Sequence, residues 1–367
     1  MRVPFVDLQI QFAGLRDEIV PRVEDIMRRS AFILGEEVAE FERDFAAFCG
    51  AKHCVGVASG CDALLWALKA CGIGPGDEVI TVANTYIATV LAVQFAGART
   101  VLVDCLEDTY EIDPEAVRRA ITPRTKALMP VHLYGRSADM EAIMAIAREH
   151  GLLVIEDAAQ AHGATFRGKA CGTFGRVGCF SFYPGKNLGA YGDGGAIVTD
   201  DVAIAEHVRM LRNYGQQRKY HHEISGWNSR LDTIQAAVLK AKLPRLAAWN
   251  RARAEHAEAY RRRLGGLPLT LPAEPKDGQH IYHLFVVQTE RRDELLAFLE
   301  RNGISCGIHY PVPVHLQKAC ASLGYGPGSF PVTEKLAGRI LSLPMFPELT
   351  DGQIACVCDV IHQFWRP

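Results

Sequence analysis

Five runs of apolar and β-branched residues, each of strand length, alternate with helical patterns through the first two thirds of the chain. No other feature of the sequence restricts the fold as much. The runs are EVITVAN, TVLVDC, KALMPVHLY, LLVIEDAA and VGCFSFYP, and KHCVGVAS ahead of them is a sixth candidate. Between and before them lie helical patterns. GEEVAEFERDFAAFCG carries Val38, Phe41, Phe45 and Phe48 on one stripe and stops at a glycine, DALLWALKACG closes at Gly72, and MEAIMAIAREHG follows the same logic. Strands that alternate with helices are joined by parallel crossovers, and a parallel sheet needs helices on both faces. The pattern therefore predicts an α/β fold from about residue 15 to about residue 245.

After that the pattern changes. LPRLAAWNRARAEHAEAYRRRLGG reads as a long polar helix leading out of the large unit. The remainder offers a strand in HLFVVQT, a helix in DELLAFLERNG, a strand in ISCGIHY and a last helix in DGQIACVCDVIHQFW. We expect a large domain over 1–245 that includes the N-terminal segment, a connecting helix over 246–265, and a small α+β domain over 266–367. A chain of 367 residues has room for two such units.

Composition excludes several classes of function. Lys and Arg total 40 against 42 Asp and Glu, a net charge of -2, which argues against broad nucleic-acid binding. The 11 cysteines are irregularly spaced, with no C-x-x-C pair, so neither a zinc site nor a disulfide framework is expected. Unpaired thiols suit a reducing compartment. MRVPFVDLQIQ lacks a signal-peptide core, and no apolar run reaches the roughly 20 residues that span a bilayer. The expectation is a cytoplasmic protein with no membrane or metal partner.

Ligands of open parallel sheets bind beyond the carboxyl ends of the strands. Five segments lie at such places. Ser59-Gly60-Cys61-Asp62 opens a helix, as either an anion seat or a plain cap. In Glu156-Asp157-Ala158-Ala159-Gln160 a strand ends in two carboxylates. Asp157 is the candidate to hold a ring nitrogen protonated, with Glu156 pointing the other way by strand alternation, although a helix cap would use the same residue types. In Ser181-Phe182-Tyr183-Pro184-Gly185-Lys186-Asn187, Lys186 lies among turn formers and aromatics, where desolvation would free its amine as a nucleophile. The run from Arg218 to His222 with Gly226 to Asp232 could grip phosphates or be a solvated loop. Gly307 to Leu316 is a proline-stiffened loop bearing His309, Tyr310 and His315.

Together these segments resemble the DegT/StrS group of fold-type I, pyridoxal 5′-phosphate (PLP)-dependent sugar aminotransferases. The resemblance runs from VPFVDL through GPGDEVI, EDAAQAHGA, SFYPGKNLGAYGDGGAIVT, RNYGQ and GWNSRLD to SLPMFPELT. It implies an aspartate aminotransferase-like fold, with a mostly parallel mixed sheet between helices and a smaller α+β domain. It implies that Lys186 joins the cofactor covalently and that Asp157 pairs with the ring nitrogen. Gln160 would lie near the ring hydroxyl, and Tyr86 and Ala159 would flank the ring. Gly60, Cys61 and Ser181 would hold the phosphate, with Asn228 reaching it from a second subunit of a homodimer. Many members have threonine where this chain has Cys61, and a thiol is a poorer donor than a hydroxyl. The substrates implied are L-glutamate and a nucleotide-linked ketosugar, aminated by a ping-pong mechanism. RKYHHEISGWNSRLD and GIHYPVPVHLQ look most like members that aminate C3 of a dTDP-linked 3-keto-6-deoxyhexose. In that case Arg218 or Lys219 contacts the diphosphate, and Tyr183, His309 and Tyr310 line the sugar pocket. The competing readings are amination at C4, and a catalytically silent regulatory relative. A dehydrase would carry histidine in place of Lys186.

Overall fold

The computed structural model describes residues 1–366. Two helices, α1 (Leu8–Arg29) and α2 (Glu36–Cys49), precede the first strand β1 (His53–Val57). Then come α3 (Gly60–Ala70), β2 (Glu78–Val82), α4 (Ile87–Ala96), β3 (Arg99–Val103), α5 (Pro114–Ala120), β4 (Thr125–Met129), α6 (Met140–His150) and β5 (Leu153–Asp157). A small hairpin of β6 (Thr165–Phe166) and β7 (Lys169–Ala170) leads to β8 (Val177–Ser181) and β9 (Gly195–Thr199). These strands, the hairpin apart, form one seven-stranded sheet in the order β1-β9-β8-β5-β4-β2-β3. The pairs from β3 to β8 are parallel, and β9 runs antiparallel to both β8 and β1. The mostly parallel mixed sheet expected from the resemblance is present.

Strand alternation sorts the core. Val79, Ile155, Cys179 and Ile197 pack on one face with Leu64 and Leu68 of α3, Val93 of α4 and Val208 of α7 (Val202–Leu211). Their chain neighbours Ile80 and Val154 face the other way, against Ile143 and Ile146 of α6. Phe180 and Val198 join Phe41 and Phe45 of α2 and Leu239 of α8 (Thr233–Lys242). Each such fully buried phenylalanine contributes about 1.5–3 kcal/mol over an exposed one.

The segment after α7 is a short hairpin of β10 (Gln216–Arg218) and β11 (His221–His222). The long polar helix is α9 (Leu246–Leu264), entered through a 3-10 turn over Leu243–Arg245. Beyond it lie β12 (Gly278–Gln279), which pairs with β6, then β13 (Phe285–Gln288), α10 (Arg292–Arg301), α11 (Pro331–Ala337), β14 (Ile340–Leu343) and α12 (Asp351–Trp365). The expected strand in ISCGIHY does not form. Its backbone is split between two partners, Ile304 bridging Val3 and Gly307 bridging Ser342, and Ile340–Leu343 takes the place beside β13. Val3 therefore packs with Tyr260, Phe285, Leu295, Leu341 and Ile354 in the C-terminal core.

Eleven cysteines are free, and no helix of the described residues is long and apolar enough to cross a membrane. Glu111 is buried with neither carboxyl oxygen bonded, and burial pushes its pKa well above the usual carboxyl range. The folded chain thus holds a proton that the unfolded chain releases, so stability falls as pH rises past the unfolded value. Glu111→Gln is expected to flatten the decline in Tm as pH rises above the usual carboxyl range. Thermal melts across that rise check it, and an unchanged slope would count against a protonated Glu111.

Candidate active site

The site lies where β5 and β8 end side by side, at the same edge of the sheet as the start of α3. Asp157 closes β5, with Cys179 of β8 beside it in register. By alternation it shares the face of Ile155, toward α4, and there Thr89 Oγ1 donates to its Oδ2 at 2.9 Å. The Ala159 N–H donates to Oδ1 at 3.1 Å. Burial raises the Asp157 pKa, and these two donors, with Lys186 and His132 nearby, oppose the rise. Glu156 points to the opposite face as expected. It accepts from Gly172 N at 2.6 Å and Gly175 N at 2.7 Å, and its Oε2 lies 2.9 Å from His132 Nε2. His132 Nδ1 accepts from Ala138 N–H at 3.1 Å, so Nε2 carries the proton and donates to Glu156. This pair braces the strand end and leaves Asp157 to face the cleft.

Lys186 follows β8 on a tight turn, with its own N–H donating to Tyr183 O at 2.8 Å. Burial lowers its pKa to about 8, and Asp157 acts in the other direction. A lysine near 8 holds a substantial neutral fraction in mildly basic solution. The turn leaves no room for substitution at Gly189, where a Cβ would stand 2.2 Å from Pro184 O.

The third part is the start of α3. Ser59 Oγ accepts from Asp62 N–H at 3.1 Å, and Ser59 O accepts from Ala63 N–H at 3.0 Å. The cap reading of this segment is the one the hydrogen bonds show. Ser59 is the cap, and the N–H groups of Gly60 and Cys61, which have no carbonyl one turn back, stay free for a ligand. Ser181 closes against them, since a Cβ on Gly60 would lie 2.5 Å from Ser181 Cβ. Ser181 Oγ accepts from Tyr183 N–H at 3.3 Å, which leaves its proton free to donate. Two backbone donors and one hydroxyl at a helix N-terminus suit a phosphate dianion. The Cys61 thiol is kept neutral by burial, then by Asp62 and Asp157, so it sets no negative charge against such a group.

On the C-terminal side, Gln160 Oε1 accepts from Tyr134 N–H at 2.7 Å, and its Nε2 donates to Tyr310 Oη at 3.1 Å. The rings of Tyr86 and Tyr310 are 5.4 Å apart. Burial and then Lys186 lower the His309 pKa to about 4, and its Nδ1 lies 2.8 Å from Ser342 Oγ. Tyr183 is largely exposed at the mouth.

One chain thus gathers Gly60, Cys61, Tyr86, Asp157, Ala159, Gln160, Ser181, Tyr183, Lys186, His309 and Tyr310. It does not gather the other three expected residues. Arg218 and Lys219 are exposed on the β10–β11 hairpin, against His221 and Tyr220. Asn228 is exposed too, bridging Asn213. Its neighbour Ser229 is tied to α3 by a 2.6 Å bond to Asp62 Oδ2 and a 2.8 Å bond from Trp66 Nε1.

The sequence reading missed Thr89, Asn187, Asn250 and His283. Thr89 was findable, because it stands three residues after Tyr86 and so one helical turn along the same side. Asn250 carries no local signal within its polar helix.

A lysine with a lowered pKa, a buried carboxylate at the end of the adjacent strand and free N–H groups at the start of α3 share the carboxyl edge of the sheet, an arrangement that fits a PLP-type aminotransferase. Residues 14–362 match the DegT/DnrJ/EryC1/StrS aminotransferase family, and the chain belongs to it. The family works with pyridoxal 5′-phosphate. The chain is 50% identical over 364 residues to a dTDP-3-amino-3,4,6-trideoxy-alpha-D-glucose transaminase of Streptomyces venezuelae, covering 99% of this chain and 96% of that protein. It is 49% identical over 370 residues to a protein of Geobacillus stearothermophilus named a pleiotropic regulatory protein, covering 100% and 99%. Its fold superposes with a TM-score of 0.98 on the crystal structure of S. venezuelae DesV in complex with a ketimine intermediate, at 50% identity and with 100% and 99% of the two chains covered.

Proposed function

We propose that this protein transfers an amino group from L-glutamate to C3 of a dTDP-linked 3-keto-6-deoxyhexose, in the assembly of deoxyamino sugars. The observation that carries the reading is the end-to-end identity with a transaminase named for a dTDP-3-amino sugar, joined to a complete Lys186, Asp157 and Ser181 set. PLP supplies an aldehyde that exchanges amines and a ring that accepts electrons.

The residues divide the remaining work. Lys186 would hold the cofactor, and its Nζ would take the donor's α-proton and deliver it again; a pKa near 8 suits both directions. Asp157, whose carboxylate accepts from Thr89 Oγ1 and the Ala159 N–H, would pair with the ring nitrogen and keep it protonated. Gly60, Cys61 and Ser181 would hold the phosphate. Tyr86 and Ala159 would flank the ring, and Gln160 would meet the ring hydroxyl. His309, kept neutral by burial, lines the sugar pocket with Tyr183 and Tyr310. Arg218 and Lys219 stand free to meet the nucleotide diphosphate.

Donor and acceptor use the one site in turn, which gives ping-pong kinetics. The proposed state is a cytoplasmic homodimer in which Asn228 completes the partner's phosphate seat. The exposed Phe32, Ile33, Tyr214, Tyr220 and Trp227 supply apolar surface for such an interface.

The test is a panel with L-glutamate as donor and dTDP-linked 3-keto, dTDP-linked 4-keto and UDP-linked 3-keto sugars as acceptors. The expected result is a dTDP-sugar bearing a new amine at C3. Amination of the 4-keto sugar alone would overturn the position, and preference for the UDP sugar would overturn the nucleotide. Turnover of none of them, with cofactor bound, would favour the regulatory reading suggested by the Geobacillus relative's name.

A further inference from the structure

Lys186 and Asp157 lie on different strands, and their relative placement depends on what ties the two following loops together. The sheet carries one bond past Asp157, from Ala158 N–H to Cys179 O at 2.9 Å, but Lys186 lies beyond the end of β8 at Ser181. A further tie, between the two loops themselves, comes from α9. The Asn250 side chain is buried, and its Nδ2 donates to His162 O at 2.8 Å, on the loop that follows Asp157. Its Oδ1 accepts from Asn187 Nδ2 at 2.8 Å, on the residue next to Lys186. Asn187, also buried, donates to Ile281 O at 3.2 Å, and its Oδ1 faces His283 Nδ1 at 3.2 Å.

The polarity of this network has one solution. Carbonyls only accept, so Asn250 Nδ2 must face His162 O, and its oxygen is left for Asn187. The Asn187 amide is then oriented as well, and His283 must donate from Nδ1. Burial lowers the His283 pKa, and the neutral ring then carries its one proton on Nδ1. A rotated Asn250 amide would set oxygen against oxygen and nitrogen against nitrogen. The space is closed to anything larger, since a Cβ on Gly163 would stand 2.9 Å from Asn250 Nδ2.

We propose that Asn250 is a positioning residue for catalysis: one amide, held in a single orientation, sets the Lys186 turn against the Asp157 loop. The proposal rests on the roles given above to Lys186 and Asp157. It assigns a catalytic consequence to a residue on the helix connecting the two halves of the chain, outside every motif at the strand ends. The same amide links the Ile281–His283 segment to the site, so the C-terminal half takes part in placing the lysine.

Asn250→Ala removes both bonds and adds no charge. The holoenzyme variant is expected to retain cofactor and to keep its half-saturating glutamate concentration within about threefold, while its single-turnover rate with glutamate falls roughly 10- to 100-fold, as misplacement of a reacting group does. The pH midpoint of the cofactor's visible absorbance is expected to shift, because that titration depends on what surrounds the lysine and the ring. A rate and a midpoint equal to wild type, even with a lowered Tm, would overturn the proposal and leave Asn250 a packing residue. Should the alanine variant not fold, Asn250→Ser, whose hydroxyl can keep one of the two bonds, is expected to give an intermediate rate; a wild-type rate would overturn the proposal in the same way. A wild-type enzyme with no cofactor band would instead fail the underlying reading, and the two failures are told apart by that control.

Discussion

Lys186→Ala is expected to abolish transamination, with the single-turnover rate on L-glutamate falling at least about 10⁴-fold, since both the covalent anchor and the proton carrier are lost. The fold should survive. Burial disfavours the charged Lys186 amine while Asp157 favours it, so the two effects of its removal oppose each other and the Tm should change little. This separates a chemical loss from a structural one. Formation of 2-oxoglutarate from L-glutamate and thermal melts measure the two together. A variant that still formed 2-oxoglutarate at the wild-type rate would remove Lys186 from the mechanism.

Asp157→Asn is the second large effect. The substitution keeps the shape but cannot pair with a protonated ring nitrogen. It also sets an NH₂ group against one of two donors, Thr89 Oγ1 or the Ala159 N–H. The phosphate seat proposed at Gly60, Cys61 and Ser181 is untouched, so cofactor should still bind. A loss of roughly 10²- to 10³-fold in the glutamate half-reaction is expected, the scale of a lost electrostatic partner in a preorganised site. Stopped-flow absorbance follows it directly. A rate within a few-fold of wild type would mean that another group holds the ring charge.

The sequence made some of this legible for definite reasons. Strand-length apolar runs gave β2, β3, β4, β5 and β8, because buried parallel strands need apolar residues on both faces. Motifs at the strand ends brought forward Asp157 and Lys186 as candidates, because the carboxyl edge is where such a sheet binds ligands, and Ser181 came from the resemblance; the structure sets Asp157 and Ser181 at the ends of adjacent strands. The reading failed where partner choice is long-range. ISCGIHY has the composition of a strand, yet its hydrogen bonds are shared between Val3 and Ser342, two segments far away in the chain. Asn250 is similar, since a polar residue in a polar helix shows its use only once His162 and Asn187 are brought to it. Thr89 lies between these cases, because helix geometry alone places it near the ring-stacking candidate Tyr86. Arg218, Lys219 and Asn228 remain outside the site built by one chain.

The most direct test of the central claim is the visible absorption spectrum of the purified protein before and after addition of L-glutamate. A band from lysine-linked cofactor that gives way to the shorter-wavelength band of aminated cofactor, with release of one equivalent of 2-oxoglutarate, is the predicted result. A protein that takes up no cofactor when PLP is supplied, or whose band ignores glutamate, would contradict it.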